Sequence, residues 1–338
     1  MSKLRRKLPI ITAVSTILVL ILDSTTAAQG AADAVQLCIR TAIPSLFPFF
    51  VLSGYLVPHI SQLRISGFGK LLRIPTGWES IFLLGCLGGY PIGAQCVAQS
   101  YASGKLDKQQ AQRMLGFCTN CGPSFLFGVV GCSFSDPLAP LVISAISIGS
   151  AILVGILWPA QHCEFSKTPN IPAISLTQAV QQALRSMASV CAWIILGKVL
   201  LSFLQKWVLW HLPLETVIFL TGLLELTNGC LNLNLCADDG LRFLIACTIT
   251  SFGGLCVAMQ AAAICQISAL DNRSYLPQKV LQAGIAAILA VVYLSIPGST
   301  LHRLGLFAGL FILVLILCKK AVEIPQMVVY NKSSKGGI

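Results

Sequence analysis

Uncharged stretches of bilayer length constrain this chain more than any other feature. No Asp, Glu, Lys or Arg occurs in residues 41–63, 80–104, 114–135, 137–163, 243–270 or 280–302. About 20 mostly apolar residues are enough to cross a hydrocarbon core. Of the 338 residues only 10% are charged and 55% are hydrophobic, whereas soluble domains run at roughly a quarter charged. So few charges cannot coat a water-facing surface of this size. The expected fold is therefore all-α: a polytopic membrane helical bundle, with no soluble domain.

The formal charge of +11 would suggest nucleic acid as a partner in a soluble protein. Here basic loops held against anionic cytoplasmic lipid account for it, and no basic-aromatic face accompanies it. The N-terminus carries Lys3, Arg5, Arg6 and Lys7, then the apolar run from Ile10 to Leu22, then Thr26-Ala27-Ala28. That pattern fits a signal peptide cleaved before Gln29 or a retained first helix, and the retained helix is preferred. The 14 cysteines lie mostly within apolar segments, where Cys acts as a small hydrophobe. Cys118 and Cys121 form a CxxC with no second pair to complete a zinc site. His59, His162, His211 and His302 show no ligand spacing, so no metal site is expected.

Charge spacing and Gly/Pro punctuation predict eight crossings, near 8–24, 44–60, 112–131, 138–158, 188–210, 241–264, 277–296 and 304–322. Two further apolar stretches are unlike ordinary spans. Residues 80–100 hold Gly85, Gly88, Gly89, Pro91 and Gly93, and residues 215–235 hold Glu225, Asn228 and Gly229 at mid-length. Both read as re-entrant hairpins. With them re-entrant, 18 of the 23 Lys and Arg fall on the cytoplasmic side, Arg113 and Lys279 among them. Arg40, Lys206, Arg242 and Arg303 stay outside, and Lys198 sits mid-membrane. If both stretches crossed, the split would be 14 to 8 by the same count of basic residues. The positive-inside rule favours the hairpins, the first entering from the cytoplasm and the second from outside, with both termini cytoplasmic.

Five regions follow. Residues 1–36 are a first membrane helix and a short outer segment. A first repeat, 37–160, holds hairpin 80–100 and broken helix 112–131. A cytoplasmic linker and interfacial helix occupy 161–187; capping-box patterns at Asp107/Gln110, in the first repeat, and at Ser175/Gln178, in the linker region, start helices at the cytoplasmic surface. The second repeat, 188–296, holds hairpin 215–235 and broken helix 241–264. A last membrane helix and cytoplasmic tail fill 297–338.

The duplicated cluster carries the chemistry. Gly88-Gly89-Tyr90-Pro91-Ile92-Gly93-Ala94-Gln95 is followed by Thr119-Asn120-Cys121-Gly122-Pro123-Ser124. Leu224-Glu225-Leu226-Thr227-Asn228-Gly229 is followed by Thr250-Ser251-Phe252-Gly253-Gly254. Backbone freed from helical bonding is tolerated in a membrane only when it is buried in protein or lines a polar cavity. Opposed hairpins and broken helices bring such backbone together near the midplane, where secondary transporters bind solute and ions. Tyr90, Gln95, Asn120, Ser124, Thr227, Asn228, Ser251 and Gln260 would supply neutral hydrogen-bond partners. Glu225 is the sharpest single residue, because an intramembrane acid usually faces a cavity and serves a function. An ion pair with Lys198, or a protonated packing acid, is the structural alternative. Any one glycine has packing as its ordinary role, so the case rests on the pairing of clusters.

These residues, with Pro44-Ser45-Leu46-Phe47-Pro48-Phe49 before them and Ser251-Phe252-Gly253-Gly254-Leu255-Cys256-Val257-Ala258-Met259-Gln260 at the end, resemble the YlbJ-type sporulation integral membrane proteins. That family carries the nucleoside-recognition, or Gate, domain shared loosely with concentrative nucleoside transporters. The likeness covers about residues 37–290. It implies a role in spore cortex formation and a transport-like fold with an unassigned solute. Gly89, Cys121 and Cys256 stand where small residues such as Ser are common in the family. The expected function is a permease-like carrier or sensor of a small polar metabolite, nucleoside-like by that resemblance. The alternative is a non-transporting membrane scaffold for spore envelope assembly. An enzyme is not expected, since no Ser/His/Asp set, HExxH or phosphate loop is present. No cofactor is expected, although a coupling Na+ or proton is compatible with Glu225. The expected partners are the lipid bilayer and the small polar solute; a homo-oligomer is allowed and nucleic acid is not expected.

Overall fold

The computed structural model describes residues 2–60, 68–72, 74, 78–104, 106–158 and 174–334. Arg64, Arg73, Lys105, His162, Lys167 and Lys335, and residues 161–173 of the predicted linker, lie outside the described residues. The elements begin with α1 (Ser2–Leu22), α2 (Ser24–Leu37), α3 (Ile43–Ile60) and the single turn α4 (Phe68–Leu72). Four short helices follow: α5 (Glu79–Gly88), α6 (Ile92–Ala102), α7 (Lys108–Phe117) and α8 (Pro123–Phe125), the last continued by π and 3-10 turns to Ser133. The second half holds α9 (Ala139–Leu157), α10 (Leu176–Trp207), α11 (Leu214–Leu224), α12 (Leu226–Leu231), α13 (Asp239–Phe252), α14 (Leu255–Ile267), α15 (Tyr275–Ser295) and α16 (Thr300–Ser334). No strand occurs among the described residues.

Among the described residues, five helical segments are long and apolar enough to cross a bilayer: α9, α10, α13 with α14, α15, and Thr300–Leu317 of α16. A sixth is Ala13–Leu22 with Ser24–Ala42, if that pair is one span bent by 96°. This is a membrane protein with fewer long spans than the eight the sequence predicts. The bend has a local cause. Asp23 leaves the first helix to cap α2, accepting from the Thr26 N–H, and pairs with Lys206 at the end of α10 at 2.6 Å. The predicted crossing at 112–131 divides instead, because α7 stops at Phe117 and the chain resumes as helix at Pro123.

The predicted interfacial helix and fifth crossing form one continuous helix, α10. It starts at a complete capping box, with Gln178 N–H on Ser175 Oγ at 3.2 Å and Ser175 N–H on Gln178 Oε1 at 2.9 Å. At α7 only half of the motif forms. Asp107 accepts from the N–H groups of Gln109 and Gln110, while Gln110 Oε1 is buried without a partner.

α15 lies between α7, α9 and α13, and α10 packs along α2 and α3. Large apolar side chains stay exposed on the outer helices, such as Leu196 and Leu200 on α10, Ile288 and Val291 on α15, and Ile312 and Leu313 on α16. A face of that kind suits lipid and would be a liability in water.

Two short helix pairs position everything that follows. α5 and α6 pack against each other around the turn Gly89-Tyr90-Pro91, and α11 packs on α12 across Glu225. At 1.5 Å per residue, helices of 10 and 11 residues reach only about half of a hydrocarbon core roughly 30 Å thick.

Candidate functional site

Each turn rests on a helix break. Gly89, at φ 74°, lies against Gly122, so closely that a Cβ on Gly89 would come within 2.9 Å of the Gly122 nitrogen. In the second half Gly253 and Gly254 hold φ of 87° and 84°, a left-handed pair that stops α13 and restarts the chain as α14. A Cβ on Gly254 would meet Leu226 N at 3.1 Å. The turn of each pair thus seats on the break that follows it.

Tyr90 joins the two halves. Its hydroxyl donates to the Thr250 carbonyl at 3.1 Å, and its ring lies where a Cβ on Gly253 would be. The first turn therefore touches the second break as well as its own.

Between the turns lies an inner cavity of about 50 Å³, lined by Gly88, Gly89, Tyr90, Gly122, Ser124, Glu225, Thr227 and Gln260, with Phe50, Phe125, Val190 and Ile194 among the apolar walls. A second cavity of about 660 Å³ adjoins it, lined by Pro91, Gln95 and Gln99 of the first pair, by Gln178, Gln181, Gln182, Arg185 and Ser186 of α10, and by Gln260. Gln260 belongs to both linings, and its Oε1 is buried without a hydrogen-bond partner. Buried polar atoms are nearly always partnered, so this oxygen marks where a guest or water would bond.

Glu225 ends α11 and caps α12. Its Oε1 accepts from Thr227 N–H at 3.1 Å, and its Oε2 accepts from Asn228 N–H at 2.7 Å and from Asn228 Nδ2 at 2.6 Å. Those bonds satisfy an otherwise expensive buried acid. Gly197 of α10 leaves the room, since a Cβ there would lie 2.9 Å from Glu225 Cγ. Glu225 makes no ion pair among the described residues, with Lys198 or any other.

Of the nine polar or charged side chains singled out in the sequence, Tyr90, Ser124, Glu225, Thr227 and Gln260 line the inner cavity. Gln95 lines the larger one and donates to Ser186 Oγ at 3.2 Å. The other three do not line either cavity. Asn120 turns inward to accept from Gln282 Nε2 at 3.0 Å and donate to the Phe117 carbonyl at 2.8 Å. Asn228 is used by Glu225, and Ser251 is buried with its Oγ unpartnered. Among the backbone positions, Gly93 presses on the Cys118 carbonyl and Gly229 on Gly222, and Pro123 opens α8.

Two basic residues depart from the sequence reading. Arg113 and Lys279, counted there on the cytoplasmic surface, are buried. Arg113 donates through Nη2 to the Leu72 carbonyl at 2.6 Å and to the Gly155 carbonyl. Lys279 is fully enclosed beside Thr119, Gln282 and Tyr90. Without these two the cytoplasmic count falls from 18 to 16 against 4, and the bias keeps its sign. Nothing in the spacing around Lys279 marks it for burial, because its partners come from a segment about 160 residues away.

Cys118 and Cys121 are buried free thiols, and no group of three metal-ligating side chains occurs among the described residues. Comparison with protein-family models, with curated proteins and with solved structures finds no match for this chain.

Proposed function

We propose that the protein is a carrier for a small, polar, uncharged solute in the cell membrane, with both termini in the cytoplasm. In this reading α5–α6 and α11–α12 are re-entrant hairpins that dip into the bilayer from opposite faces, within two inverted repeats. The observation that carries it is a cavity walled by both turns, the first break and the start of α14, with polar groups set among apolar walls and Tyr90 bonded across the halves. Short apolar helices that reach only halfway, and irregular backbone gathered at one cavity, support the same reading.

The cavity sizes suggest a state. The inner space of about 50 Å³ holds a few waters, at roughly 10–15 Å³ each. The outer space of about 660 Å³ lies within the roughly 300–1,000 Å³ of ligand pockets. By the charge bias, the start of α10 is cytoplasmic. The larger cavity is then an inward vestibule, and Gln260 marks the passage to a closed inner site. On the opposite side Arg242 bonds the carbonyls of Ser133 and Cys236, and Ser133 Oγ bonds the Cys230 carbonyl. Those contacts tie the two halves together there.

That the solute serves spore cortex formation rests on the resemblance of these motifs to the YlbJ-type proteins. The test is flux into proteoliposomes for a panel of labelled nucleosides, sugars and neutral amino acids. Flux of one class is expected, with Glu225→Gln lowering it at least tenfold at equal protein amount. Neither binding nor flux across the panel sinks the carrier reading. Normal spore formation with Glu225→Gln would then favour the scaffold.

A further inference from the structure

Lys279 sits one turn into α15 with no exposed surface. Its Nζ donates to the Thr119 carbonyl at 2.9 Å and to Gln282 Oε1 at 2.6 Å, and lies 5.2 Å from the centroid of the Tyr90 ring. An ammonium has three N–H donors, and here they face a carbonyl, an amide oxygen and a π face. Among the described residues no carboxylate pairs with it. Gln282 is itself fixed, since its Nε2 donates to Asn120 Oδ1 at 3.0 Å and to the Ser147 carbonyl at 3.2 Å.

The chemistry of this shell is specific. Neutral oxygens and an aromatic face offer negative potential to a cation without neutralising it. The Thr119 carbonyl lies two residues beyond α7, at the negative end of that helix. Unwound carbonyls at a half-helix C-terminus are where membrane carriers hold a coupling ion. Here the shell already contains a cation, fixed to the chain.

We propose that the Lys279 ammonium is a tethered cation filling the ion position at the α7 break, so that no free Na+ or K+ is required there. It pins Tyr90, and through Tyr90 the first turn is held against the Gly253 break. The proposal stands on the geometry of the break and not on the carrier reading, and its test uses no solute; a failed flux assay leaves it intact.

The test is thermal melting of the purified protein in detergent. Exchanging Na+ for choline should leave the wild-type melting temperature unchanged. Lys279→Ala should melt roughly 5–15 °C lower, and Na+ or ethylammonium, though not the bulky choline, should recover part of that loss. Lys279→Met fills the stem volume without charge, and should fall without recovery. If Lys279→Ala does not accumulate, progressive ring fluorination of a Tyr90→Phe protein decides. Fluorine drains the π face at near-constant shape, so the melting temperature should step down with each atom. Wild-type stability that depends on Na+, a Lys279→Met protein as stable as wild type, no recovery of Lys279→Ala by any small cation, or a flat fluorination series would overturn the proposal.

Discussion

Gly85 and Gly93, one on each arm of the first helix pair, permit a sharp test of how the turn seats on its break. A Cβ added at Gly85 would lie 1.6 Å from the Cys118 carbonyl oxygen, and one at Gly93 would lie 1.9 Å from the same atom. The obstacle is backbone at the end of α7, so no side-chain rotation can relieve it. A carbon needs about 3.3 Å from an oxygen, so Gly93→Ala must open the joint by roughly 1.4 Å. Overpacking of that kind costs about 1–3 kcal/mol, and more where backbone must move. Helix propensity acts in the other direction, since Ala is better than Gly by up to about 1 kcal/mol. The net expectation is a loss of at least about 1–2 kcal/mol, read as a lower melting temperature in detergent. Gly284 on α15 supplies the control, because a Cβ there meets nothing within 4 Å. Gly284→Ala should leave stability unchanged or raise it. Gly93→Ala as stable as wild type would refute the close seating of the α5–α6 turn on the Cys118 carbonyl.

Two further expectations concern the face opposite the larger cavity. Arg242→Ala removes the donor shared by the Ser133 and Cys236 carbonyls, bonds to a charged group worth about 1.5–3 kcal/mol each. Maleimide labelling of the buried Cys236, followed by peptide mass spectrometry, should speed up several-fold, and an unchanged rate argues against the tie. Asp136 lies between the 3-10 turn and α9, and its hydrogen bond from Thr300, with a smaller contribution from Leu138 N–H, lowers its pKa. A depressed carboxylate adds stability above its unfolded value of about 3.9 and loses it as pH falls through the folded value. The melting difference between wild type and Asp136→Asn should therefore hold at neutral pH, begin to shrink near about pH 4 and be lost only as pH falls on through the lowered folded value; a difference that does not shrink in acid removes Asp136 from that role.

Much of the architecture was legible because membrane helices announce themselves by what they lack. Runs without charge gave the helices, and paired glycines and prolines located the interruptions at Gly89, Gly122 and Gly253-Gly254. Those signals are local: Gly89, Gly253 and Gly254 take positive φ that few other residues adopt, and Gly122 allows the close approach of Gly89. The site was legible only in part. Tyr90, Ser124, Glu225, Thr227 and Gln260 share one cavity, whereas Asn120 and Asn228, offered by the same sequence clusters, bond Gln282 and Glu225. A buried amide has four hydrogen-bonding positions, and sequence does not say whether chain or guest will take them. The burial of Lys279 is not legible in the sequence for the opposite reason. Five residues after the Asn272-Arg273-Ser274 turn it has the position of a snorkelling surface lysine, and only the α7 break, brought from far along the chain, encloses it.

Two of the buried charged side chains, Glu225 and Lys279, bear on what the space between them suits. Glu225 stands at the second turn and Lys279 beside the first break, yet among the described residues neither has the other or any opposite charge as its partner. The carboxylate is answered by Thr227 N–H, Asn228 N–H and the Asn228 amide, and the ammonium by the Thr119 carbonyl, Gln282 and the Tyr90 ring. The carboxylate is solvated within its own helix pair, whereas the ammonium on α15 is solvated by Gln282 of the same helix and by Thr119 and Tyr90 of the first half. Had they paired directly, the halves would be locked by an ion pair that is costly to break once buried. Solvated separately, they form no ion pair with each other, and Lys279 instead joins α15 to the first turn and its break through neutral dipoles. The buried group left unpartnered on the cavity wall is then the Gln260 oxygen, a neutral acceptor that matches a hydroxyl or amide donor better than an ion. On the proposed carrier reading, a neutral donor suits that oxygen, since Glu225 and Lys279 are each already bonded within the protein.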